Sequence, residues 1–153
     1  MPRHQIGYWR WVGSRDRYDP HDAELPDPRE LTDLSWNPDA KQLVIDFLKH
    51  GKVVAAFGGC STCRFNCGIA DSLMGSHELA DNLWVWPEGL AHYVEVHSVR
   101  LPPKFVEHVV KRNFLSRTHL VEAPQTDFDL SLWITWAREQ RQTARHGGEI
   151  RDT

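Results

Sequence analysis

Three cysteines, Cys60, Cys63 and Cys67, fall within eight positions, and two histidines, His92 and His97, follow on a segment of helical character. Thiolates and imidazoles are the donors that zinc takes four at a time in a tetrahedron, and a tight cysteine turn sets two sulfurs on one side of a metal. Two such turns overlap here. Cys60-Ser61-Thr62-Cys63 has the usual two intervening residues, whereas Cys63-Arg64-Phe65-Asn66-Cys67 has three and is followed by Gly68, which suits a sharp reversal. His92 and His97 enclose four residues, a gap that lets two histidines near a helix end share one ion. The expected set is Cys63, Cys67, His92 and His97 around one Zn2+, with Cys60 and His77 as spare ligands, because Cys60, Cys63 and Cys67 closed by His92 or His77 form a close variant of that site. The loop from Cys67 to His92 holds 24 residues, longer than in a compact finger, so a hairpin must fit inside it.

Other chemistry competes for the same residues. Cysteines also serve as small buried hydrophobes, and His92 and His97 can be plain helix residues, one beside Glu88 and Glu95, the other favourable to the helix dipole. An enzyme reading is the main alternative: Glu88, His92 and Glu95 share a face if a helix runs from Pro87. A metal with only three protein ligands could then activate water, with Glu88 or Glu95 as the base of a hydrolase. The sequence contains neither His-Glu-x-x-His nor the His-x-Glu and Pro-Cys-x-x-Cys pair of the zinc deaminases. A thiol-redox role for Cys60 and Cys63 is a third reading, but no clear βαβ unit follows.

The elements that must position this site can be read around it. Asn37-Pro38-Asp39-Ala40 is a helix start, and Leu43, Val44, Phe47 and Leu48 recur at helical spacing up to Lys49, His50 and Gly51, giving a helix over 38–50. Residues 52–57 are apolar and rich in β-branched side chains, which predicts a buried strand leading into the cysteines. Residues 69–86 read as further β structure, with a hairpin turn at Asp81-Asn82. Pro87 fits the first turn of a helix over 87–97 that buries Leu90, Ala91, Tyr93 and Val94. Further helices are expected over 103–114, burying Phe105, Val106, Val109 and Val110, and over 127–145, burying Leu130, Trp133, Ile134 and Ala137 and stopped by Gly147-Gly148. A short aromatic segment at 5–12, with Tyr8 opposite Trp9 and Trp11, reads as an edge strand.

The fold class expected is α+β: a small antiparallel or mixed sheet covered by about four helices, with a metal-stapled cysteine loop. The 153 residues suit one domain over 37–147, preceded by an arm over 1–36 rich in Asp, Arg and Pro and followed by a tail over 148–153. No apolar run is long enough for a membrane span, and Met1-Pro2-Arg3-His4-Gln5 does not open a signal peptide. An odd number of clustered cysteines argues for a reducing compartment, hence the cytoplasm. The net charge of -3 divides into -2 over 1–50, -3 over 51–99 and +2 over 100–153, which argues against a nucleic-acid partner. A protein partner, its identity open, fits better. Trp84 and Trp86 face one way if they lie on a strand; they are core by the plainer reading and a binding patch by the other. Arg138, Arg141 and Arg145 form a basic strip on the last helix, either solvated or a contact for an acidic partner.

Ser61-Thr62-Cys63-Arg64 with Cys67-Gly68, then Gly75-Ser76, Glu78-Leu79, the run from Trp84 through Val94, His97 and Val99-Arg100-Leu101-Pro102, resembles a family of small uncharacterised bacterial proteins. The resemblance covers about residues 57–106. It implies a cysteine turn with two intervening residues and no counterpart of Cys60, so that this chain carries an inserted residue and ligates through Cys63 and Cys67. It implies no activity.

Overall fold

The computed structural model describes residues 2–10, 24–56, 59–114 and 128–151, without the side chains of Phe114 and of 144–151. Among these residues the fold is α+β, with one five-stranded mixed sheet and five helices. Trp11, Phe57, the connection at 116–126 and the side chain of Arg145 lie outside the described residues.

Strands β1 (Arg3–Gln5), β2 (Lys52–Ala56), β3 (His77–Ala80), β4 (Trp84–Pro87) and β5 (Phe128–Asp129) stand in the order β2-β3-β4-β1-β5. β2, β3 and β4 form an antiparallel meander, and β1 inserts parallel to both β4 and β5, with His4 opposite Trp84 on one side and Asp129 on the other. The strand at Arg3–Gln5 is therefore an interior one, and it starts two residues earlier in the chain than the aromatic segment at 5–12 suggests. Its sequence, Arg-His-Gln, carries no apolar alternation, and Arg3 is nevertheless 2% exposed.

Helix α1 (Pro38–Lys49) begins as the sequence dictates: the Asn37 side-chain Oδ1 accepts from the Asp39 and Ala40 amides, and Pro38 needs no donor there. It buries Val44, Ile45 and Leu48, while Leu43 and Phe47 pack half-buried against the core. A single helical turn, α2 (Asp71–Met74), replaces β structure expected near residue 70. Helix α3 (Leu90–His97) starts later than expected, because Pro87 closes β4 opposite Glu78 instead of opening the helix. Its buried residues are Leu90, Ala91, Tyr93 and Val94, as the pattern predicts. Helix α4 (Pro103–Phe114) buries Phe105 and Val109 and leaves Val106 and Val110 half-buried. Helix α5 (Ser131–Arg151) buries Trp133, Trp136 and Ala137, with Leu130 and Ile134 half-buried nearby, and it continues through Gly147-Gly148, which cost a helix stability without being able to stop it alone.

The core gathers on β4. Trp84, Val85 and Trp86 are each less than 5% exposed. The Trp86 indole donates to the Leu48 carbonyl, and both tryptophan rings meet Phe105. Trp84 and Trp86 are thus core residues, not a binding patch, because α1 and α4 cover the face they share. β2 departs from its expected burial: it is an outer strand of the sheet, mostly exposed on both faces, with an irregularity between Val53 and Ala55.

Candidate metal centre

The segment from Ser61 to Gly68 folds into a knuckle against α3. The Ser61 amide donates to the Gly75 carbonyl, and the Asn66 amide closes a turn onto the Cys63 carbonyl. Three residues between the cysteines require an extra reversal, supplied by Asn66 at φ 49° and by Gly68 at φ 85°. Asn tolerates the left-handed region better than most residues, and Gly occupies it without penalty. Helix α3 supplies the opposite wall and ends on Ser98, itself left-handed at φ 52°, whose hydroxyl accepts from Lys41 on α1.

Four donors converge between these walls. Cys63 Sγ lies 3.8 Å from Cys67 Sγ and 3.4 Å from His97 Nε2, and Cys67 Sγ lies 3.4 Å from His92 Nε2. All four donor atoms fall within 4.8 Å of one another. A tetrahedral zinc, about 2.3 Å from sulfur and about 2.05 Å from imidazole nitrogen, requires sulfurs about 3.8 Å apart and sulfur–nitrogen edges of about 3.5 Å. The three measured edges agree with that figure, so the residues present fit one ion.

Other side chains fix the donors in place. The Tyr93 hydroxyl accepts from the Arg64 amide at 2.9 Å and donates to the Thr62 carbonyl at 3.4 Å, clasping the backbone on both sides of Cys63. The Phe65 ring stacks on His97 with centroids 3.9 Å apart and planes 7° from parallel. These contacts support the inner half of the site, Cys63 and His97. The two sulfurs differ in exposure, Cys63 being buried and Cys67 exposed, while both histidines are half-buried.

Burial lowers the pKa of His92, against the pull of Glu95, and that of His97, where the neighbouring His92 adds to the effect. Both imidazoles are therefore held toward the neutral form that ligates. Burial pushes the Cys63 thiol up, aided by the Cys67 sulfur and opposed by the Phe65 amide. A metal must displace that proton.

The remaining candidates fall elsewhere. Cys60 is exposed and outside the cluster, and His77 is turned toward Glu88, its Nδ1 3.1 Å from Oε2. Glu88 precedes α3, and the same oxygen accepts from the Ser76 and His77 amides. Gly75 is required there, with φ 82° and no room for a Cβ beside that carboxylate. Because Pro87 ends a strand, Glu88 stands outside the helix, yet it lines one groove together with His92 and Glu95, and Glu95 pairs there with Lys49 at 2.6 Å. On α5, Arg141 is engaged by Glu30 at 2.9 Å while Arg138 is exposed, so the basic strip is partly an internal tie to the 3-10 turn at Pro28–Leu31. Tyr93 and Phe65, which brace the centre, carry no metal-ligand signal in the sequence; Tyr93 reads only as a core residue of its helix. No helix among the described residues is long and apolar enough to cross a membrane. Compared with protein families, with curated proteins and with solved structures, the chain matches none of them.

Proposed function

We propose that the chain binds one Zn2+ through Cys63, Cys67, His92 and His97, that the metal is structural, and that the protein is a cytoplasmic module that binds another protein. The observation that carries this reading is the set of donor edges, 3.4, 3.4 and 3.8 Å, which suits two thiolates and two imidazoles around zinc. Four protein donors leave no open position for a substrate, and the two carboxylates that could serve a hydrolase as base are already engaged, Glu88 by the Ser76 and His77 amides and Glu95 by Lys49. Support for a binding role comes from a groove beside His92 where three exposed apolar side chains, Val53, Leu73 and Val96, meet. The kinship to small bacterial proteins suggested by the knuckle and the Trp84–Val94 wording belongs to the same reading.

Metal analysis of the purified chain tests it. The expected result is one zinc per chain, lost in Cys63→Ser and His92→Ala together with a lower melting temperature. Metal-free protein whose variants melt like the parent would refute the proposal. A bound metal that keeps an exchangeable water would favour the hydrolase instead.

A further inference from the structure

The two halves of the centre differ in a way that bears on its control. Cys63 is 3% exposed, braced by Tyr93 and by the Phe65–His97 stack, while Cys67 is exposed and sits 3.8 Å from the Cys63 sulfur. Of the two sulfurs, Cys67 is the one presented to a small oxidant. Its sulfur is already in contact with the one partner thiol held in place beside it, and Cys60, although exposed, is outside the cluster.

We infer that the centre is a peroxide-sensitive switch in which Cys67 is oxidised first and Cys63 then joins it in a disulfide, releasing the metal. This rests on the zinc reading above. The Cys67 thiolate attacks one oxygen of a peroxide: an S–O bond forms, the O–O bond breaks, and hydroxide leaves when the oxidant is hydrogen peroxide. The Cys67 sulfur is now a sulfenic acid and no longer a good metal donor. The Cys63 thiolate attacks that sulfur, an S–S bond forms, the S–O bond breaks, and a second hydroxide leaves. Two electrons have passed from the sulfurs to the peroxide, and both hydroxides take up protons to become water. Two imidazoles alone hold zinc weakly, so the ion departs. A dithiol reductant reverses the change by thiol–disulfide exchange.

The geometry also selects the cysteine pair. Cys60 and Cys63 have the spacing of a redox motif, yet Cys63 faces the metal site beside Cys67 and His97, with its backbone fixed by Tyr93. The tryptic map separates the possibilities, because cleavage after Arg64 puts Cys60 and Cys63 on one peptide and Cys67 on the next.

The experiment treats the zinc-loaded full chain with hydrogen peroxide, follows released zinc with a chromogenic chelator, and maps disulfides by mass spectrometry. The inference expects one zinc released per two thiols lost, a cross-link between the two tryptic peptides, the same cross-link in Cys60→Ser, and recovery of zinc binding after dithiothreitol. Zinc retained through oxidation, a Cys60–Cys63 bond within one peptide, or a cross-link absent from Cys60→Ser would each overturn it. A chain that takes up no zinc at the outset fails the metal reading and the switch together; one that takes it up and holds it through oxidation fails the switch alone.

Discussion

Tyr93 lies between the two histidines of α3 in sequence and is buried beside them, where its hydroxyl reaches the knuckle backbone. It joins the packing of the helix to the placement of Cys63, whose thiol its hydroxyl also meets. Tyr93→Phe keeps the ring among Trp9 and Phe65 and removes both hydrogen bonds. By analogy with other residues that orient metal ligands, zinc affinity should fall by about tenfold, the low end of the range for such partners. Competition with a chromophoric chelator measures this, and an unchanged affinity would show that the clasp does not hold Cys63. The titrating groups give a second prediction at the same scale. His92 and His97 are shifted down and so are neutral at pH 7, while Cys63 is shifted up and protonated in the metal-free site. Zinc uptake at pH 7 should therefore release the Cys63 proton, and apparent affinity should fall as pH is lowered. Calorimetry in buffers of different ionisation enthalpy counts the protons. That Cys63, Cys67, His92 and His97 could converge was legible from residue type and spacing; their bracing was not, because a tyrosine on an apolar helix face looks the same whether or not its hydroxyl has a partner.

Among the elements, the turn between β3 and β4 shows how a polar residue is held in the core. Asp81 has a side chain 9% exposed, accepts from the Leu83 and Trp84 amides, and meets the ring of His108 on α4. Burial alone would raise its carboxyl, but the His108 ring and the two amides outweigh burial and hold it below the ordinary carboxylate range. A folded-state value below the unfolded one means that the contribution is complete above the ordinary range and is lost as pH falls through the folded value. Asp81→Ala should cost about 2 kcal/mol at pH 7, the scale of leaving buried donors without their partner. Urea unfolding should show a smaller penalty near pH 3, and equal penalties at both values would remove the carboxylate from the account. Helices α1 and α4 were readable because capping residues and a 3.6-residue period are local signals. The strands were less so. Lys52-Val53-Val54-Ala55-Ala56 has a buried strand's composition, yet sheet order puts it at an edge; β1 has a polar strand's composition, yet lies between β4 and β5. Position in a sheet depends on pairing between distant segments, which no local pattern encodes.

For the whole molecule, the decisive relation is that the main core and the metal centre share α3 but little else. Trp84, Trp86, Val44, Leu48 and Phe105 are buried by α1, α4 and the sheet, and of the knuckle residues Ser61–Gly68 only Cys63 is buried. The apolar area that drives folding is therefore already covered without the knuckle, whose hydrogen bonds are few and partly exposed. Removing the metal should open the loop and leave the sheet standing. In hydrogen exchange of chelator-treated protein, the amides of Arg64 and Asn66 should lose protection. The Asp81 and Glu88 amides, bonded within the β3–β4 meander, should keep theirs. The melting temperature should fall by a few degrees rather than collapse, since a local staple adds to a fold that is already formed. Loss of protection throughout the meander would instead make the metal a condition of folding. The same division lets oxidation of the knuckle change its shape without unfolding the chain, as a reversible switch needs.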